Sequence, residues 1–227
     1  RYSYLDRRLT VTWRAAVKER TDLVIDYRVV RPSEGLYFMG PTTWAPKATW
    51  QLWSQGEDEE ARHWIPCHDA PHERMTTELI ATVGANYTVI SNGALISRKT
   101  RGKSSVWHFR ESTPYPSYLI TLVVGEFVQV AESWRSVPVE YYVEPGLEAE
   151  ARRSFGRTPA MIEFFSERLD CPYPYEKYAQ VTVRNASLSA TASFVVQDPG
   201  APPVVTVLTG QFDITRGGLR LDRNTGF

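Results

Sequence analysis

The sequence lacks several features that define protein classes. It has two cysteines among 227 residues and no net charge, since 26 basic side chains balance 26 acidic ones. No apolar run approaches the roughly 20 residues that span a bilayer. A neutral protein has no general electrostatic attraction to nucleic acid or to anionic lipid, so we expect neither partner. The sequence also contains no Gly-x-Ser-x-Gly, P-loop, dinucleotide-binding fingerprint or Cys-x-x-Cys.

The length and the first residues indicate part of a longer protein. A chain of 227 residues suits one large domain, or one domain and a fragment of a second. It begins at Arg1, without methionine or an apolar leader. Cys67 and Cys171 lie far apart in sequence, and we expect two free, buried thiols rather than a disulfide.

Alternating apolar and polar residues, which are typical of strands, dominate the first two thirds of the chain. Tight-turn pairs separate these stretches at Asn92-Gly93 and Arg101-Gly102, and residues 94–112 read as a hairpin. Many short strands at this spacing predict a mainly β, antiparallel sandwich over residues 1–145. The alternating stretches are Leu9–Trp13, Leu23–Val29, Leu79–Val83 and Val139–Val143.

The apolar period changes from two to between three and four near Pro145. A helical stripe follows, and because proline disfavours helix interiors we expect a kink or a break at Thr158-Pro159. An aromatic loop over 172–178 and a strand over 179–183 complete a short helix–loop–strand unit. The predicted stripe comprises Phe155, Pro159, Ile162, Phe165 and Leu169.

Residues 184–227 differ in composition from everything before them. They contain no Glu, Lys, His, Tyr, Trp, Met or Cys. Residues 193–196 and 204–208 could form strands. Two interpretations remain open, namely an extension of low order and a segment translated out of frame.

One run, from Trp53 to Pro71, combines six acidic or amide side chains with buried-type aromatic and aliphatic residues. This mixture is typical of a β domain that turns a polar edge toward a ligand. The acidic stretch 57–60 is commonly just a solvated loop, and the alternative is that one of its carboxylates faces a binding cleft. Asp69, flanked by prolines, is expected to brace a turn.

The histidines at positions 68 and 72 have the spacing of a His-Glu-x-x-His zinc motif. That motif requires a helix, which Pro71 disfavours, so we expect a turn with solvent-facing histidines and no metal site here.

Several ordered motifs resemble the aminopeptidase-N-like zinc metallopeptidases, the gluzincin aminopeptidases. Ser54-Gln-Gly-Glu57 is similar to the family's Thr/Ser-Gln-x-Glu, and residues 61–71 to its Ala-Arg-x-x-Phe-Pro-Cys-x-Asp-x-Pro. Shorter matches follow the same order at Gly35-Leu-Tyr-Phe38, Ser91-Asn-Gly93, Tyr118–Phe127 and Tyr173–Tyr178. The resemblance implies a saddle-shaped N-terminal β domain over 1–145, without its opening strands, and the start of a thermolysin-like catalytic domain over 146–183.

The same resemblance implies two binding residues. The Gln55 position contacts the side chain of the substrate's first residue, and the Glu57 position helps to hold its free α-amine, with a charge-assisted hydrogen bond as the physical basis. The family's Gly-x-Met-Glu-Asn and His-Glu-x-x-His are absent, so zinc would belong to the intact parent enzyme and this chain would hold no cofactor. We therefore expect an inactive fragment that needs the missing catalytic domain. The alternative is a non-catalytic scaffold or protein-binding module of the same fold.

Overall fold

The computed structural model describes residues 1–6, 8–14, 16 and 21–184, together with the backbone of residues 204–213 and 218–220. Across this part of the chain, strands predominate and two α-helices interrupt them. Short 3₁₀ turns cover Ala61–His63 and Ser117–Leu119. The elements are β1 (Tyr2–Leu5), β2 (Arg8–Val11), β3 (Arg28–Val30), β4 (Leu36–Met39), β5 (Gln51–Ser54), β6 (Arg74–Gly84), β7 (Thr88–Ser91), β8 (Ala94–Arg101), β9 (Ser104–Pro116), β10 (Leu122–Gly125), β11 (Val128–Trp134), β12 (Val137–Val143), α1 (Glu148–Phe155), α2 (Thr158–Arg168), β13 (Tyr178–Val181), β14 (Val204–Asp213) and β15 (Gly218–Arg220).

The strands form a β1–β2 hairpin and three larger sheets. Their orders are β4-β5-β10-β7, β11-β12-β13 and β3-β15-β14-β6-β9-β8. All ladders are antiparallel except β14 with β6 and β12 with β13. The prediction of a mainly β, antiparallel fold followed by helical structure and a strand is therefore confirmed.

The main core lies between the six-stranded and four-stranded sheets. Strand β6 alternates strictly between partly exposed and buried residues over its eleven positions, as its sequence predicts. From the other sheet, Leu52 and Leu122 enter the same core and are fully buried. The stretch 21–27 forms no strand, unlike the prediction for Leu23–Val29, and only residues 28–30 pair with β15. Leu23 and Val24 are exposed, and among the described residues no strand pairs with this stretch.

The helical unit begins after Pro145 and breaks into two helices. Gly156 ends α1, and Pro159 lies in the first turn of α2, where a missing N–H costs nothing, so the predicted break is confirmed. The predicted helical stripe is only partly buried, since Phe165 and Leu169 are 46% and 50% exposed. Helix α2 packs a narrow face onto the β11-β12-β13 sheet. Its buried residues are Thr158, Ile162 and Ser166.

Other local predictions have mixed outcomes. Strands β8 and β9 form the predicted hairpin around Gly102, and both cysteines are free. Cys67 is half-buried, but Cys171 is exposed, so its predicted burial is wrong; it follows the exposed end of α2.

In the tail, the strand over 204–213 contains the predicted stretch 204–208. This strand and β15 differ from the low order predicted for residues 184–227 as a whole. The other predicted stretch, 193–196, lies outside the described residues.

Candidate functional site

The candidate site begins where strand β5 ends. The Gln55 N–H donates to the Gly35 carbonyl at 3.1 Å, which extends the β4–β5 pairing one residue beyond Ser54. The next residue, Gly56, lies against the backbone of Tyr118, where an added Cβ would stand 2.4 Å from the carbonyl oxygen. Only glycine fits this approach, so the segment carrying Gln55 and Glu57 is held tightly against the turn at 117–119.

One face of β5 carries Gln51 and Trp53, and strand alternation assigns Gln55 to the same face. Gln51 is fully buried; its Nε2 donates to Glu144 Oε1 at 2.8 Å, and its Oε1 accepts from the Arg184 N–H at 3.0 Å. Trp53 packs against a small buried cluster around Phe127, and Val181 packs against the same cluster. This face therefore looks toward the part of the chain that follows β12.

An aromatic pair crosses the β4–β5 ladder two residues before Gln55. Tyr37 and Trp53 stack with ring centroids 4.4 Å apart, and the Tyr37 hydroxyl donates to Glu60 Oε2 at 3.4 Å. Partial burial and the neighbouring Glu60 carboxylate raise the pKa of Tyr37 above its ordinary value, so the hydroxyl stays a donor at neutral pH. The Trp53 indole N–H is buried and has no hydrogen-bond partner within the described residues.

The acidic stretch divides by exposure. Asp58 and Glu59 are exposed, whereas Glu57 and Glu60 are half-buried. The Glu57–Asp58 peptide bond is cis. Gln55 and Glu57 are thus both partly accessible at one strand end, but their contacts with a substrate remain a prediction.

Asp69 fixes the loop behind this site, as predicted. Its Oδ2 accepts from the Arg62 backbone N–H at 2.9 Å and from Arg62 Nε at 3.2 Å, and its Oδ1 accepts from Ser117 Oγ at 2.5 Å. The Asp69 side chain is 2% exposed. One carboxylate therefore ties the 3₁₀ turn at 61–63 to the turn at 117–119.

The histidines of the apparent zinc motif lie in a turn and face solvent, as expected. The side chains of His68 and His72 are 74% and 78% exposed, and each lies 3.7 Å from Glu73 Oε1. In the described part of the chain, no three His, Cys, Asp or Glu side chains come together in a way that could hold a metal ion. These residues therefore do not fit a zinc centre.

A second ionisable cluster was missed from the sequence. Glu111 is 3% exposed inside β9, and burial together with the adjacent Glu176 raises its pKa to about 8. Lys177 Nζ donates to the carbonyls of Ser91 and Gly93, each at 2.5 Å, and burial lowers its pKa to about 8. The signal was present: Glu111 occupies an inward position of β9, two residues after Phe109.

The fold and these motifs are those of a peptidase N-terminal domain. Residues 3–119, just over half of the chain, match the model of the Peptidase M1 N-terminal domain, and the chain belongs to that family. The resemblance drawn from the motifs is thereby confirmed.

The relatives include peptidases and a transcription factor. Transcription initiation factor TFIID subunit 2 of Gallus gallus is 26% identical over 172 residues, covering 74% of this chain and 15% of that protein. Aminopeptidase N of Streptomyces lividans is 30% identical over 138 residues, 58% of this chain and 16% of the relative. Puromycin-sensitive aminopeptidase of Caenorhabditis elegans is 28% identical over 140 residues, which cover 60% of this chain and 15% of the relative. The chain therefore aligns with a small part of these much longer proteins and is an aminopeptidase-like fragment.

Proposed function

We propose that this chain supplies the substrate-recognition wall of a zinc-dependent aminopeptidase that releases N-terminal residues from peptides. Glu57 holds the peptide's α-ammonium group, and Gln55 contacts the side chain of its first residue. Residues 1–145 form the N-terminal β domain and residues 146–183 begin the catalytic domain. The chain alone would be inactive, because its sequence contains neither Gly-x-Met-Glu-Asn nor His-Glu-x-x-His.

The observation that carries the proposal is the direction of the β5 face. Gln51 on this face hydrogen-bonds Glu144 and Arg184, which lie at the two ends of the unit that would open the catalytic domain. Gln55 comes four residues later on the same face and stays partly accessible. A peptide bound between the two domains would therefore meet Gln55 and Glu57.

The chemistry suits an ammonium ligand. An exposed carboxylate gains only about 0–1 kcal/mol from pairing with a cation in water. Glu57 is half-buried, and partial removal of water strengthens a charge-assisted hydrogen bond. Closure by a second domain would strengthen it further, so binding by this chain alone should be weak.

A nuclear magnetic resonance titration tests the assignment. The isotopically labelled chain would be titrated with Leu-Gly-Gly-amide and with its N-acetylated form. We expect shifts at the Gln55 and Glu57 amides only with the free amine, and their loss in Glu57→Gln. Asp58→Asn, which changes an exposed neighbouring carboxylate, is the matched control. Equal shifts with the acetylated peptide would refute the role of Glu57.

Activity provides a separate test. With added zinc, the purified chain should not release arylamine from aminoacyl-arylamide substrates. Turnover that a chelator abolishes would contradict the proposed inactivity.

A second candidate function is a non-catalytic protein-binding module. The observation that favours it is the longer alignment with transcription initiation factor TFIID subunit 2, over 74% of this chain against 58% for aminopeptidase N. A module of this kind would not distinguish free from acetylated peptides, so the same titration separates the two candidates. The coding DNA after the codon for Val183 gives a further test. Gly-x-Met-Glu-Asn and His-Glu-x-x-His in another frame would support the peptidase.

A further inference from the structure

A cleft of about 530 Å³ lies between strands β8 and β12, apart from the segment that carries Gln55 and Glu57. Cavities of roughly 300–1,000 Å³ are the size that takes small ligands in proteins. Trp107 and Phe109 form its floor and are 5% and 4% exposed. The cleft therefore has two aromatic rings in its lining and lies where the six-stranded sheet meets the β11-β12-β13 sheet.

The two sides of the cleft carry complementary groups. Strand β8 contributes the exposed Leu95 and the guanidinium of Arg98, and β12 contributes the exposed Pro138 and the carboxylate of Glu140. Each side thus presents one apolar residue and one charge, and the charges are opposite. No ion pair joins Arg98 to Glu140, both of which lie in the described part of the chain.

Both charges are held in place by neighbours. The Arg98 guanidinium lies 4.2 Å from the centroid of the Trp107 ring, and Glu140 Oε2 accepts the Tyr142 hydroxyl at 3.0 Å. A charge held by stacking or by a hydrogen bond loses less conformational entropy when a ligand arrives. The cleft therefore has a fixed cation on β8 and a fixed anion on β12.

Lys177 and Glu176 add one positive and one negative side chain to the lining of the cleft. Lys177 Nζ is 4.7 Å from the Phe109 ring centroid and donates to two backbone carbonyls, and the neighbouring Glu176 carboxylate lines the same cleft. Two cations and two carboxylates therefore surround the space. A ligand that carries one group of each sign can pair with both kinds of charge, whereas a singly charged ligand can pair with only one.

We propose that this cleft binds a zwitterionic α-amino acid, or a dipeptide, with an apolar side chain. Arg98 receives the ligand's carboxylate, Glu140 receives its ammonium group, and Leu95 and Pro138 contact its side chain. The proposal concerns a ligand site other than Gln55 and Glu57, and it does not depend on peptidase activity.

Three small ligands test the charge pattern without any mutation. Isothermal titration calorimetry on the intact chain would compare L-phenylalanine with N-acetyl-L-phenylalanine, which lacks the ammonium, and L-phenylalaninamide, which lacks the carboxylate. We expect each single-charge analogue to bind at least about tenfold more weakly, because each loses a charge-assisted hydrogen bond. If L-phenylalanine showed no binding up to about 10 mM, tenfold above a weak dissociation constant of about 1 mM, the proposal would be overturned. Equal binding of all three would also overturn it.

Variants locate the site. Glu140→Gln and Arg98→Gln should each weaken L-phenylalanine binding about tenfold, with unchanged circular dichroism. Arg101→Gln, an exposed change on the same strand, is the control and should have no effect. Loss of binding in Glu57→Gln but not in Glu140→Gln would place the ligand at the proposed substrate site and overturn this inference. The reverse pattern supports the cleft and leaves the proposed function to its own peptide titration.

Discussion

Replacing Asp69 by alanine should destabilise the chain more than any exposed carboxylate change nearby. The substitution removes the charged acceptor of three hydrogen bonds, from the Arg62 backbone N–H, Arg62 Nε and Ser117 Oγ, at a side chain that is 2% exposed. Hydrogen bonds to charged groups contribute about 1.5–3 kcal/mol each. The Arg62 side chain is 38% exposed and can regain water, so we expect a loss of about 3 kcal/mol.

Urea denaturation followed by tryptophan fluorescence measures this loss. With a slope of about 2 kcal/mol/M, the midpoint should fall by about 1.5 M. Glu59→Ala is the matched control, since Glu59 also pairs with Arg62 but is 52% exposed, and it should change stability by less than about 1 kcal/mol. If the two variants lost equal stability, or if Asp69→Ala lost less than about 1 kcal/mol, the bracing role would be wrong.

Three further predictions concern other parts of the fold. Because the pKa of Glu111 is raised to about 8, the folded state binds more protons than the unfolded state between about pH 4.5 and 8, so stability should fall as pH rises through this window. The lowered pKa of Lys177 has the opposite effect, so stability should recover between about pH 8 and 10.5. Urea midpoints measured across this pH range check both effects. In Glu111→Gln the fall in stability between about pH 4.5 and 8 should disappear, and an unchanged fall would refute the assignment. Gly56→Ala should cost about 1–3 kcal/mol and shift the amide resonances of its two neighbours, because the new Cβ meets the Tyr118 backbone; a variant with native stability would contradict this contact. Phe164 is 58% exposed on α2, so Phe164→Lys should leave the melting temperature nearly unchanged and lower the light scattering of concentrated solutions. A large drop in melting temperature would show that the residue is packed.

The sequence was informative wherever local pattern and tertiary packing agree. Strand β6 and the β8–β9 hairpin were predicted from alternation and turn residues. In a strand with one buried face, the apolar positions in the sequence are the positions that face the core. The break at Pro159 follows from proline's missing N–H. The motif resemblance led to the family, which the match over residues 3–119 shows.

Other features depend on the tertiary packing of helices, strands and loops that are distant in sequence. A local sequence pattern does not contain that information. Phe165 and Leu169 continue an apolar stripe, yet the sheet beneath α2 is narrow and buries only the row through Ile162. The Glu111–Glu176 contact joins residues 65 positions apart, so it emerges only when the aromatic loop folds back onto β9. Gln55 and Glu57 were proposed from the resemblance, and their substrate contacts are still a prediction.

No helix of the described residues is long and apolar enough to cross a membrane. The longer helix, α2, has eleven residues and a buried face, and it belongs to the packed helical unit.

Strand β13 is the outermost strand of its sheet as far as the described residues extend, and it pairs in parallel with β12. Its four residues, Tyr178 to Val181, include no charge and no proline, the devices by which natural edges avoid joining other chains. When the chain is handled by itself, this strand is a template for another molecule's backbone, so slow, concentration-dependent fibril seeding should begin here.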